Sequence, residues 1–256
     1  MCLIALAWHV HPRYPLVLIA NRDEYHARPT APAAVHPTQP QLFGGRDLEK
    51  GGSWLMVSGQ RRMAAVTNVR LPQPVDPDAQ SRGQLVMEFA QSDISAVAYG
   101  NALADRAAQF AHFNLLAWDG ADLVYAGTHP EYESARIEPG VHVLSNAGLN
   151  SPWPKALRLR QRLRDWLAEV GHSAPLEPLF AALADREQAG DAELPDTGVG
   201  IERERFLSAP FIVGADYGTR CSTIVLADDG CIAFTERRFG PLGQALGDVS
   251  TRLERQ

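Results

Sequence analysis

Apolar positions in this chain fall into short runs broken by turn-forming residues, and two stretches of helical period interrupt them. Cys2–His9 and Leu16–Ala20 are runs of strand length flanking His11-Pro12-Arg13-Tyr14-Pro15, which predicts a hairpin. Residues Ala27–Gln41 hold many prolines and no period, so a surface loop is expected there. After Gly51-Gly52, the runs Ser53–Ser58 and Arg62–Val69 meet at a Ser58-Gly59 turn and predict a second hairpin. Ser81 and Asp93, whose side-chain oxygens can accept from unpaired backbone N–H groups, open predicted helices over Arg82–Gln91 and Ile94–Ala108.

Strand patterns return at Phe113–Trp118, Leu123–Ala126 and Val141–Ser145. Pro154 then suits a first helical position and Gly171 a stop, with Leu157, Leu163, Trp166, Leu167 and Val170 at helical spacing between them. Leu176–Ala184 predicts a shorter helix, and the polar, glycine-containing Gln188–Glu204 a partly mobile loop. Phe211–Val213, Thr223–Ala227 and Cys231–Thr235 predict strands, the last two around Asp228-Asp229-Gly230, and Leu242–Leu253 a closing helix. Strands, helices, strands, helices, strands: this grouping predicts an α+β protein with antiparallel sheets covered by helices, and no linker divides residues 1–256 into more than one domain.

Composition narrows the classes. Hydrophobic residues make up 45% and charged ones 21%, and 24 basic against 30 acidic residues leave a net charge of −6. A broadly basic nucleic-acid footprint is not expected. No apolar run is long enough to span a membrane, and the apolar start lacks a basic n-region and a small-residue cleavage site. Cys2, Cys221 and Cys231 are too few and scattered for a disulfide framework or a zinc site, which predicts a cytoplasmic protein with reduced thiols.

Cys2 is the first residue with chemical content. Removal of Met1 would leave a thiol and a free α-amine on one residue, with reference pKa values of about 8.5 and 7.7–8.0. Such a residue supplies both nucleophile and base. The plainer reading makes Cys2 a small apolar residue opening a buried strand. Asn21-Arg22-Asp23-Glu24 follows the second strand, which the hairpin brings beside the first. There Arg22 would favour the thiolate and Asp23 would orient the amine. Asn68 and Asn146 each end a strand run, and an asparagine amide can donate to the oxyanion of acyl transfer. Asparagine is also common at strand ends for conformational reasons alone.

These segments carry a resemblance. Asn21-Arg22-Asp23-Glu24, Lys50-Gly51-Gly52-Ser53-Trp54, Thr67-Asn68-Val69-Arg70, Phe113-Asn114-Leu115-Leu116, Leu144-Ser145-Asn146, Pro152-Trp153-Pro154-Lys155 and Tyr217-Gly218-Thr219-Arg220-Cys221-Ser222-Thr223 occur in one order. Together they resemble the NRDE family, also called the transport and Golgi organisation protein 2 family, over nearly the whole chain. That family is similar to N-terminal nucleophile (Ntn) hydrolases of the choloylglycine hydrolase and penicillin V acylase type. The resemblance implies a four-layer αββα sandwich with two antiparallel sheets. It implies catalytic roles for Cys2, Arg22, Asp23, Asn68 and Asn146, and substrate contacts from Asn21, Trp54 and Arg220. In the hydrolases an arginine stands where this chain has Ala20, and Arg22 shares that strand face.

The function so implied is hydrolysis of a linear amide or other acyl compound through an acyl-thioester, with no cofactor and no metal. The alternative is a non-catalytic binding or trafficking protein for haem or a lipid-like or acyl-CoA ligand, haem then being a ligand held by Cys2, His9 or His11. His9-Val10-His11 puts two imidazoles on one strand face without a clear third metal ligand. Lys155, Arg158, Arg160, Arg162 and Arg164 read as a solvated helix face. Partners are therefore expected to be small molecules, and the pattern assigns no oligomeric state.

Overall fold

A computed structural model describes residues 2–169 and 175–255. The first strand, β1 (Cys2–Trp8), is buried along its whole length and pairs antiparallel with β2 (Leu16–Tyr25). Burial on both faces explains why both strands read as continuous apolar runs rather than alternations. Then follow β3 (Thr30–His36), β4 (Gln39–Asp47), β5 (Leu55–Ser58), β6 (Arg62–Asn68), and the helices α1 (Arg82–Gln91) and α2 (Ala96–Leu103). The middle of the chain adds β7 (Phe113–Trp118), β8 (Leu123–Gly127), β9 (Glu133–Arg136) and β10 (Gly140–Leu144). Helices α3 (Pro154–Glu169), α4 (Glu177–Leu183) and α5 (Ile201–Phe206) precede β11 (Tyr217–Ala227), β12 (Cys231–Phe239) and β13 (Ala245–Glu254).

The strands form two sheets, ordered β10-β1-β2-β11-β12-β13 and β3-β4-β5-β6-β7-β8-β9, with neighbouring strands antiparallel throughout. One apolar cluster, including Ile4, Leu18, Val225, Phe43, Leu116 and Trp118, lies between the sheets. A second joins the outer face of the seven-stranded sheet to α1 and α2 through Met56, Leu115, Leu85 and Phe89. A third joins the outer face of the six-stranded sheet to α3 and α4 through Leu3, Ile19, Leu163, Trp166 and Phe180. Alternating side chains on each strand thus feed two different cores, which yields the expected αββα layering.

Several local expectations are corrected. Ala27–Gln41 is not a loop, because β3 and most of β4's start lie within it. Pro32 is tolerated because β3 is an edge strand whose register skips between Ala31 and Ala34. The second helix is shorter than Ile94–Ala108, and its cap is Ser95, whose side chain accepts from Ala98 N–H, rather than Asp93. Phe211–Val213 is no strand: Phe211 N–H donates to Asp185 O, and Ile212 exchanges bonds with Thr219. Within Gln188–Glu204 a single 3-10 turn forms at Asp191–Glu193, and α5 begins and buries Glu204. The closing segment is a strand, because Val249, Thr251 and Leu253 alternate inward beside β12. The helix stop read at Gly171, and Val170 before it, lie outside the described residues.

Cys221 and Cys231 are buried free thiols and are not cross-strand partners; Cys221 stands opposite Arg238. No described helix is long and apolar enough to cross a membrane.

Candidate active site

The ladder between β1 and β2 places Cys2 opposite Arg22 and Leu3 opposite Asn21. Strand alternation then divides the charged cluster in two. Arg22, like Cys2, Ile4 and Ala20, faces the space between the sheets, where a cavity of about 10 Å³ also meets Trp54, Val66 and Thr223. That is room for roughly one water. Asn21 also borders that cavity, but its side chain reaches Leu183 at the end of α4, and Asp23, on the same strand face, feels Lys155 of α3.

Arg22 is buried with its guanidinium carbon 4.3 Å from the centroid of the Trp54 ring, and its Nη1 donates to Thr30 Oγ1 at 3.3 Å. The Trp54 ring can lie there only because residue 45 is glycine: a Cβ on Gly45 would come within 2.1 Å of it. Burial pushes the Cys2 thiol up, and the opposing pull of Arg22 is smaller. The net shift is therefore upward, opposite to the lowering expected from the arginine, because desolvation outweighs it.

Asp23 is 1% exposed, and its Oδ1 accepts from Thr219 Oγ1 at 2.7 Å. Burial raises its pKa, against the pull of Lys155, the Thr219 bond and Arg70. Because Arg22 pairs with Cys2, Asp23 stands one ladder step beyond, on the side of the Cys2 backbone nitrogen.

The two asparagines meet. Asn146 Nδ2 donates to both Asn68 O (2.9 Å) and Asn68 Oδ1 (3.1 Å), which turns the Asn68 amide so that its NH2 points away from Asn146. Ser145 Oγ donates to Cys2 O at 3.4 Å, and Thr67 Oγ1 to Ser145 O at 2.5 Å. Asn114 Nδ2 donates to Thr67 Oγ1 and Tyr125 OH to Asn114 Oδ1, so a hydrogen-bond chain crosses between the sheets beside the cysteine.

Two residues read as substrate contacts have other work. Asn21 Nδ2 donates to Leu183 O and Pro210 O, and its Oδ1 accepts from Ser222 Oγ, so it fastens the end of α4 and the segment after α5 to the sheet. Arg220 Nη1 donates to the carbonyls of Tyr25, His26 and Arg28 and holds the turn after β2. His9 and His11 lie past the far end of β1 from Cys2, and His11 Nδ1 accepts from Arg13 and Tyr14 N–H. No group of three metal-ligating side chains occurs among the described residues.

Residues missed as site members sit inside the motif segments. Arg70 N–H donates to Asn146 O at 2.8 Å; its guanidinium pairs with buried Glu204 and stacks 4.6 Å from the Trp153 ring. Lys155 is only 2% exposed, contrary to its reading as part of a solvated face, and its Nζ has no hydrogen-bond partner among the described residues. Burial, then Arg70, lowers its pKa to about 8, against the pull of Asp23, Cys2 and Glu204. Half-buried Arg82 at the start of α1 also feels the charges of Cys2 and Glu24. Its place in the Pro152-Trp153-Pro154-Lys155 segment, at the buried first turn of α3, is what sets Lys155 apart from the arginines that follow.

Lys155 predicts a pH signature. Unfolded, it titrates near 10.5; folded, near 8, so between these values the unfolded chain holds more protons and stability rises with pH. Wild type should gain on the order of 3 kcal/mol relative to Lys155→Met across that window. Urea denaturation at pH 7, 8, 9 and 10 measures it; a constant difference would refute the lowered pKa.

The sequence profile of the family described as Transport and Golgi organisation 2 matches residues 1–241. The Transport and Golgi organization protein 2 homologue of Bos taurus is 32% identical over 99% of this chain and 96% of its own length. The Homo sapiens homologue is 32% identical over 93% of this chain and 92% of its own. Among solved structures, the Caenorhabditis elegans N-acylethanolamine-hydrolyzing acid amidase (NAAA) ortholog superposes with a TM-score of 0.46 at 10% identity, covering 88% of this chain and 92% of that one. With a profile match over most of its length and relatives at 32% identity end to end, the chain belongs to the Transport and Golgi organisation 2 family.

Proposed function

We propose that this chain is an N-terminal-cysteine acyl hydrolase acting on a linear amide or another acyl compound. The observation that carries the reading is the β1–β2 register, which sets Arg22 across from Cys2 and Asp23 on the side of its backbone nitrogen. After loss of Met1, that nitrogen is a primary amine. It takes the proton from Cys2 Sγ, which attacks the acyl carbon. The carbonyl electron pair becomes an oxyanion beside the NH2 of Asn68, whose direction Asn146 fixes. Asp23 holds the resulting ammonium, which protonates the leaving amine as the C–N bond breaks. Water then attacks the thioester, giving its proton to the amine, and the thiol leaves.

The intact mass of protein purified from cells, followed by iodoacetamide labelling and peptide mapping, tests this. The expected result is a mass lacking Met1 and a label on Cys2 ahead of buried Cys221. A chain that retains Met1 in the mature protein removes the base and with it the mechanism.

A further inference from the structure

The buried charges around Cys2 divide unevenly. Glu204 answers Arg70 through Nη1, and its other oxygen accepts from both the backbone and the hydroxyl of Thr197. Asp23 is bonded by Thr219. Lys155, charged near neutrality, has no hydrogen-bond partner among the described residues, and neither have Nε and Nη2 of Arg70. Those two nitrogens form one edge of the guanidinium, a geometry that matches two oxygens of an anion. The chain itself uses that edge elsewhere: Arg205 grips both carboxylate oxygens of Asp191 through Nε and Nη2, at 3.0 and 2.8 Å.

Both cations are more than nine-tenths buried, at 6% exposure for Arg70 and 2% for Lys155. Trp153 under the guanidinium and Glu204 at Nη1 pin Arg70, so its other edge has a fixed direction. They belong to one neighbourhood with the proposed chemistry. Lys155 interacts electrostatically with Arg70, Asp23 and Cys2, and Arg70 with Asp23. The backbone of Arg70 bonds Asn146, which orients Asn68. Glu204 answers the charge of Arg70 but leaves its Nε–Nη2 edge, like Lys155 Nζ, without an acceptor among the described residues, and buried donors left without an acceptor are costly.

We propose that Lys155 and Arg70 form the seat of a compact oxyanion, a carboxylate or a phosphate, borne by the acyl compound that reacts at Cys2. The substrate is then an anionic acyl compound rather than a neutral one. This rests on the hydrolase reading for the meaning of the seat, and the experiment separates the two.

Cys2 of the full chain is alkylated with iodoacetate and, separately, with the uncharged iodoacetamide, and the site is read by peptide mass. The ratio of the two rates is compared with the same ratio for glutathione. The expected ratio at Cys2 is at least about tenfold above that of glutathione. It should fall toward the glutathione value in Lys155→Met, the remainder being due to Arg70 and Arg22, and persist in Lys155→Arg. Sodium acetate and sodium phosphate, each balanced against chloride, should slow iodoacetate; stronger protection by acetate identifies a carboxylate, and by phosphate a phosphate ester. A ratio equal to that of glutathione in wild type, or one unchanged by Lys155→Met, overturns the seat. Should Cys2 react with neither reagent, the hydrolase reading fails, and the seat is judged by melting temperature. Acetate or phosphate should raise it in wild type and not in Lys155→Met, and no rise in wild type overturns the seat. Lys155→Arg, which keeps the charge, covers the case of a misfolded Lys155→Met.

Discussion

Cys2→Ala should abolish hydrolysis over a panel of N-acyl amides, with a loss of at least about 10³-fold in turnover. The effect is this large because sulfur is the only atom that forms the covalent intermediate, and the amine that activates it belongs to the same residue. The substitution removes a single buried atom from the end of β1 and leaves the backbone pairing with β2 in place, so the fold should persist with a cost near 1 kcal/mol. Circular dichroism and thermal unfolding establish that the variant is folded, and turnover is then compared under single-turnover conditions. Cys2→Ala protein that still hydrolyses what wild type hydrolyses would eliminate the thiol mechanism outright.

Glu204→Gln should lower stability by about 3–5 kcal/mol. Glu204 and Arg70 pair at 3% and 5% side-chain exposure, where the lost solvation of each charge is answered by the other. Glutamine keeps the shape and can still accept from Thr197, but leaves the Arg70 guanidinium uncompensated and beside the ammonium of Lys155. The defect is therefore one of charge rather than of packing. Adding Arg70→Met should recover much of the loss, because removal of both partners costs less than removal of one. Urea midpoints at constant m-value measure both variants. A loss under 1 kcal/mol in Glu204→Gln would mean that solvent, rather than Glu204, answers the charge of Arg70.

Much of this arrangement was legible in the residues, and the limits have physical causes. Cys2, Arg22 and Asp23 could be brought together from sequence because a short hairpin fixes their register locally. Asn68 and Asn146, 78 positions apart, were singled out only as strand ends, and their mutual bond needed the sheets to be stacked. Asn21 and Arg220 drew attention by residue type, while the bonds they make to backbone carbonyls of distant segments depend on the assembled fold and leave no local pattern. Lys155 was lost in a run of basic residues: helical period separates faces of a helix but does not reveal that its first turn slides under a sheet. The last segment was read as a helix because its polar residues mask a period of two, which only pairing with β12 makes decisive. The layered class survived these errors because it depends on the grouping of strands and helices rather than on any one element.

The order β10-β1-β2-β11 has a consequence for how the molecule is made. Strand β1 is an interior strand, and its neighbour on one side, Gly140–Leu144, is translated more than half of these 256 residues later. At about 5–20 residues per second, that edge stays unclosed for on the order of ten seconds during synthesis. Chains shortened ahead of Tyr217–Ala227 would leave the apolar β2 without its second neighbour, an open template for self-association rather than a smaller working protein.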